Sequence, residues 1–169
     1  FGYFEPEDMR GKLLNKFLVF YPALSTAKDA DYTAMVIVGE DEYGLLYVLD
    51  ILRARMSPHD IIEKMIQFAQ GWHISDIGIE TVAFQKTLAY SLREHPSFKR
   101  HPFHISEVKP NDRTKEYRIK ALQPLYENGK IFHNKVHPNT IYLEDELVRF
   151  PLGAHDDIID ALSYCLDLI

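Results

Sequence analysis

Residues 16–51 read KFLVFYPALSTAKDADYTAMVIVGEDEYGLLYVLDI, and the three apolar runs inside this stretch decide the fold class. Lys16–Phe20, Thr33–Glu40 and Tyr43–Ile51 are rich in β-branched and aromatic residues over strand lengths. The segment GEDEYG, residues 39–44, has the composition of a hairpin turn between the second and third runs. Beyond them the period changes. SPHDIIEKMIQFAQ, residues 57–70, predicts a helix with Ser57 as N-cap, Pro58 at the first position and Asp60 completing the cap. Ile61, Ile62, Met65, Ile66 and Ala69 recur at helical spacing as its buried stripe.

Strands and helices then alternate. DIGIE (76–80) reads as a strand, AFQKTLAYSLREH (83–95) as a helix and PFHISEV (102–108) as a strand. NDRTKEYRIKALQPLYENG (111–129) reads as one helix stopped by Asn128 and Gly129, and KIFH (130–133) as a short extended piece. NTIYLEDELVRF (139–150) predicts a helix capped by Asn139, and one more helix closes the chain. This order predicts an α/β fold: a mixed sheet of five or more strands, the first three antiparallel, flanked by helices. The expected domain is 16–169, with residues 1–15 as a linker or truncated edge.

The chain has 169 residues, enough for one domain with a substantial core, and 46% hydrophobic against 26% charged residues is a globular balance. No apolar run approaches the length that crosses a bilayer, so no membrane partner is expected, and the N-terminus lacks the order of a signal peptide. The single cysteine, Cys165, excludes an internal disulfide framework and fits a small buried hydrophobe in a reducing compartment. Net charge is −6, but it is unevenly spread. Lys86 to Lys135 carries 11 Lys and Arg against 5 Asp and Glu, leaving 8 basic and 20 acidic residues elsewhere. Such asymmetry fits a protein that attracts polyanion with one region and gathers carboxylates in another.

The carboxylates of interest open the last helix, in PLGAHDDIIDALSYCLDLI, residues 151–169. Asp156 and Asp160 are four apart and share a face, Asp157 points about 100° away, and Ile158, Leu162, Cys165 and Ile169 line the buried side. Negative charge in a first helical turn is favoured by the helix dipole, which is a sufficient structural reason for two of the three. Glu80 adds a second reason. It ends the strand DIGIE, and open α/β sheets place their chemistry at strand carboxyl ends. Acids from a strand end and a helix start are the oxygen donors that Mg²⁺ or Mn²⁺ prefer, and two such ions can activate water against a phosphodiester.

With these residues in view, the sequence resembles the C-terminal nuclease domain of the large terminase subunit, the DNA-packaging motor of tailed bacteriophages. The resemblance runs from about Lys16 to Ile169, in YPALSTAKDADYTAMVIVG, IGIETVAFQ, KEYRIKALQPLYENGKI and LEDELVRFPLGAHDDIIDALSY. It implies a ribonuclease H-like fold and metal-dependent endonucleolytic cleavage of concatemeric viral DNA. It implies Glu80, Asp156 and Asp157 as catalytic residues, Glu80, Asp156 and Asp160 as ligands, and a two-ion Mg²⁺ or Mn²⁺ centre. The implied partners are double-stranded DNA, an ATPase domain of the same large subunit, a small terminase subunit and a portal. The implied location is the cytoplasm of an infected or lysogenic bacterial host.

One motif departs from the pattern. Where the family has an Asp directly before Pro-Ala, this chain has Tyr21, a neutral phenol that replaces a metal-bridging carboxylate poorly. Impaired metal binding is therefore expected; the alternatives are compensation by a nearby acid such as Asp31, or a branch of the family that binds metal with fewer carboxylates. Arg113, Lys115, Arg118 and Lys120 lie on a predicted helix in the basic stretch, and Lys115 and Arg118 share a face suited to clamping DNA phosphates. His155 precedes the acids and is expected to orient a water there. The pairs His101/His104 and His133/His137 lack Cys partners and are not expected to be zinc sites. Trp72 is expected to fill core. No G-x-x-x-x-G-K-[ST] stretch occurs, so the ATP-hydrolysing half of a motor is not in these residues. Two other readings keep the fold: a catalytically inactive DNA-gripping or portal-docking module, and a nuclease of the resolvase or transposase type.

Overall fold

A computed structural model describes residues 1–23, 31–80, 83–108 and 113–169, with residues 83 and 84 described by backbone alone. Its strands are β1 (Gly2–Phe4), β2 (Asn15–Tyr21), β3 (Thr33–Glu40), β4 (Leu46–Ala54), β5 (Asp76–Glu80), β6 (His104–Val108) and β7 (Ile131–Asn134). They form one sheet in the order β1-β7-β4-β3-β2-β5-β6. The β2–β3 and β3–β4 pairs are antiparallel, as the sequence predicts, and the flanking pairs β2–β5, β5–β6, β4–β7 and β1–β7 are parallel. The helices are α1 (Pro58–Trp72), α2 (Ala83–Glu94), α3 (Pro96–Arg100), α4 (Lys115–Lys120), α5 (Gln123–Glu127), α6 (Thr140–Arg149) and α7 (Asp157–Ser163).

The central strands are buried on both faces, which is why they read as continuous apolar runs. Side chains alternate between two cores. Leu18, Phe20, Met35 and Ile37 meet α1 and α2 on one face. Phe17, Val19, Ala34, Val36 and Val38 meet α4 to α7 on the other. A bulge in β4 resets which face its later residues occupy. Ile37 pairs with Asp50 but Val38 pairs with Val48, so one residue of β4 is left over. The parity changes there, and Ile51 joins Leu46 and Val48 on the α7 side. Two residues on, Arg53 reaches α6 from that same side.

One local cap held and another did not: Asn139 precedes α6 but its side chain donates to the Ile51 carbonyl at 2.9 Å and makes no capping bond. Ser57 accepts the Asp60 amide at 3.2 Å and caps α1. Ser57→Ala is expected to lower stability by about 1 kcal/mol in urea unfolding, and an unchanged midpoint would show the cap to be idle. Other expectations are corrected. Residues 111–129 do not make one helix, because Pro124 lacks an amide and its ring crowds the preceding turn, so the chain restarts as α5. Residues 1–15, expected as a linker or truncated edge, contribute the edge strand β1, which pairs with β7, and Phe4 is buried against Tyr47. Ile169 is exposed, since α7 gives way to a 3-10 turn over Tyr164–Asp167 and the helical rotation does not carry on. Among the described residues no helix is long and apolar enough to cross a membrane.

Candidate active site

β2 and β5 run parallel with Phe17 opposite Asp76 and Leu18 opposite Ile77. Tyr21 and Glu80 end their strands four residues beyond the first of those pairs, so both leave the sheet at one carboxyl edge. Parity sets their face. Tyr21 follows Phe17 and Val19 toward α7, and Glu80 follows Gly78, where a Cβ would stand 3.1 Å from a Leu168 methyl. On α2, the buried Gln85 accepts the Glu80 backbone amide through Oε1 at 2.7 Å and fixes the strand end. Tyr164 donates its hydroxyl to Glu80 Oε2 at 3.0 Å, tying that strand end to the end of α7.

Helix α7 is buried along its whole length, so Asp157 and Asp160 are not a solvated helix start, while Asp156 at the N-cap is half-buried. Asp160 is almost fully enclosed. Burial pushes its carboxyl up, and Arg118 and Lys115 pull it back only in part. Arg118 bonds Asp160 Oδ1 through Nη2, donates from Nε to Ser163 Oγ at 3.0 Å and lies 4.4 Å from the Tyr164 ring centroid. Lys115 Nζ lies 2.7 Å from Asp156 Oδ1, 3.5 Å from Asp160 Oδ2 and 5.1 Å from the Tyr21 ring centroid. Burial raises the Tyr21 phenol, with Lys115 acting the other way, so this position carries no negative charge near neutral pH.

Asp157 is wholly buried, and neither of its oxygens finds a hydrogen-bond partner of good geometry among the described residues. Burial, then the charge of Asp31, pushes its carboxyl up to about 6. His155 Nδ1 is 3.7 Å from Asp157 Oδ2, and the His155 ring tilts against Tyr32. The reason none of the aspartates caps α7 lies on α6. Glu146 Oε2 accepts the amides of Ile158 at 2.8 Å and Ile159 at 3.0 Å, while Arg53 holds Oε1 at 3.3 Å. The aspartate side chains are thereby released from capping and free to face the strand ends.

Of the acids assigned from sequence, Asp156 and Asp160 share the Lys115 ammonium, Glu80 is held by Tyr164, and Asp157 lies beside His155. Lys115 and Arg118, expected to face DNA phosphate, instead point into the acidic pocket. Lys120 is exposed and pairs with Glu116 at 2.7 Å, and Arg113 lies exposed beside the Tyr117 ring. Asp31 is exposed, and its effect is felt at Asp157 and Tyr21. His133 bonds Tyr126 and Glu144, His137 bonds Asp50, and His104 bonds Asp76. Trp72 donates to Asp50 at the β4 bulge. Sequence reading missed Gln85, Tyr164, Ser163 and Glu146. All four lay in stretches already singled out, Gln85 in IGIETVAFQ and the other three in LEDELVRFPLGAHDDIIDALSY, but residue type alone did not mark them.

The donor chemistry suits a hard divalent cation, but the arrangement does not suit two. Both Asp160 oxygens face organic cations, Tyr21 offers a neutral phenol, and among the described residues no three Asp, Glu, His or Cys side chains converge as a ligand set.

The fold is shared with the yeast mitochondrial Holliday junction resolvase, at a TM-score of 0.55 and 11% identity over 87% of this chain and 74% of that one. It is shared also with the fowlpox virus Holliday junction resolvase, at a TM-score of 0.57 and 11% identity over 90% of this chain and 97% of that one. A fowlpox resolvase structure with Holliday junction DNA gives a TM-score of 0.56 at 12% identity, with the same coverage of each chain. No curated protein matches the sequence. The family described as the terminase RNaseH-like domain matches residues 22–168, from the residue after Tyr21 through the whole of α7. The chain belongs to that family and has its ribonuclease H-like nuclease fold.

Proposed function

We propose that the domain is a DNA endonuclease of viral genome packaging, with Glu80, Asp156 and Asp157 as its catalytic residues and with activity held low by Tyr21. The observation that carries this reading is the meeting of Tyr21, Glu80 and the α7 aspartates at one carboxyl edge of the sheet, bridged by Lys115, Arg118 and Tyr164. The physical argument concerns charge. A DNA phosphate brought to about 4 Å from a bare carboxylate is repelled by about 1 kcal/mol in water and about 4 at an effective dielectric of 20. A pocket of acids therefore admits the backbone only when cations neutralise it. Lys115 and Arg118 supply part of that neutralisation here, and the terminase resemblance assigns the rest to Mg²⁺ or Mn²⁺. The partners follow the same lineage: double-stranded DNA, an ATPase domain of the same large subunit, a small terminase subunit and a portal, in the cytoplasm of the bacterial host.

The test is cleavage of supercoiled plasmid by purified protein with Mg²⁺, Mn²⁺ or chelator. Tyr21→Asp is expected to raise the cleavage rate by at least about tenfold, roughly 1.4 kcal/mol in barrier. Adding Asp156→Ala to that variant is expected to abolish the gain. If Tyr21→Asp cuts no faster than wild type, the assigned centre is wrong. A second reading has its own support in the cation-filled pocket: a DNA-gripping or portal-docking module that holds duplex without cutting it. Salt-sensitive duplex binding by a Tyr21→Asp variant that fails to cleave would establish the gripping form. A branched substrate run beside the plasmid separates a junction-cutting activity from both.

A further inference from the structure

We propose that Lys115 is the resident cation of the acidic pocket, so that a divalent ion binds between Asp156 and Asp160 only by displacing its ammonium group. The inference rests on reading this pocket as the nuclease centre. The Lys115 ammonium lies between the carboxylate of Asp156, just before α7, and that of Asp160 in its first turn, at 2.7 Å and 3.5 Å. Lys115 also sits in the first turn of α4, just after the Thr114 cap, where the helix dipole disfavours positive charge. The aspartates across the gap offset that local cost.

Tyr21 favours the same occupant. An acid at the end of β2 would add a ligand for a metal ion. The phenol adds an aromatic face 5.1 Å from the ammonium, an environment that favours an organic cation. Losing a metal ligand and gaining a seat for lysine are the same substitution. Arg118 provides the contrast. That guanidinium is held by Asp160, Ser163 and the Tyr164 ring, and its side chain is only 15% exposed. Lys115 is 38% exposed on a flexible stem, so it is the cation that can leave. While seated it is withheld from DNA phosphate; once displaced it becomes available to it, which couples metal and DNA binding.

The experiment is calorimetric titration of the metal-free protein with MnCl₂, comparing wild type with Lys115→Met and Lys115→Gln. Circular dichroism melts on each variant check that it folds, and the two substitutions differ in polarity so that one packing defect does not decide the result. Both variants are expected to bind Mn²⁺ at least about tenfold more tightly than wild type. Equal affinity in all three proteins, whether tight or undetectable, overturns the proposal, as does weaker binding by the variants. Tighter binding by both variants together with no cleavage by Tyr21→Asp would leave the resident cation in place and remove only the nuclease reading.

Discussion

Arg118→Met should cost about 3–5 kcal/mol of folding stability, read as a large fall in the urea midpoint at unchanged slope. The size follows from what the substitution strands. Asp160 is 1% exposed, and the Arg118 guanidinium is its main counter-charge, anchored in turn by Ser163 and stacked on Tyr164. Lys115 at 3.5 Å is a weaker partner and is shared with Asp156. A carboxylate left in a dry setting must either stay charged at a desolvation cost or take up a proton against its solution preference. Removing both partners is a different experiment. In Arg118→Met/Asp160→Leu no unpaired charge remains, and much of the lost stability should return. A single-variant loss below about 1 kcal/mol would place the pair in the class of solvated surface bridges, and the buried Arg118–Asp160 pair would not exist in solution.

The second large effect is a dependence on pH centred on Glu146. Burial pushes this carboxyl up to about 7, against the α7 amides and Arg53, with the charge of Asp157 adding to the rise. Its folded value lies above its unfolded one, so between the two the native state binds more protons and stability falls as pH rises. The gain is complete below the unfolded value of 4.5 and is lost as pH passes through about 7. Between about pH 8 and about pH 5.5, Glu146 should contribute about 2 kcal/mol of added stability on acidification. Asp157, pushed up to about 6, acts in the same direction. His133, held below its ordinary value by burial, acts oppositely and loses stability as pH falls below the imidazole range. The Glu146→Gln variant separates these contributions. Urea unfolding of wild type and variant across this range should give a stability difference that changes by about 2 kcal/mol, whatever its absolute size. A difference that stays constant with pH would mean that Glu146 titrates as an ordinary surface acid and does not bear on the start of α7.

Sequence alone determined what depends on residues a few positions apart. Ser57 with Pro58 and Asp60 marked the start of a helix because a cap and its amide lie within one turn. The runs in 16–51 marked buried strands because branched and aromatic side chains fit a sheet covered on both faces. The terminal aspartates and Glu80 were picked out by residue type and position, and the structure brings them to one edge. Segment 24–30, which carries part of the YPALSTAKDAD motif, lies outside the described residues.

Tertiary structure decided the rest, because the partners are far apart in the chain. Lys115 and Arg118 have the spacing of a phosphate clamp on any isolated helix. Only the packing of α4 on α7 turns them onto Asp156 and Asp160, more than forty residues away. Glu146 looks like one more surface acid in YLEDELVRF, yet the crossing of α6 and α7 gives it the amides of Ile158 and Ile159. Arg53 reaches Glu146 because one extra residue in β4 changes which face it occupies, a register effect that periodicity does not reveal. Local pattern selects which side chains are acidic, basic or apolar, but the charge balance of a buried pocket is set by which of them packing forces to share it.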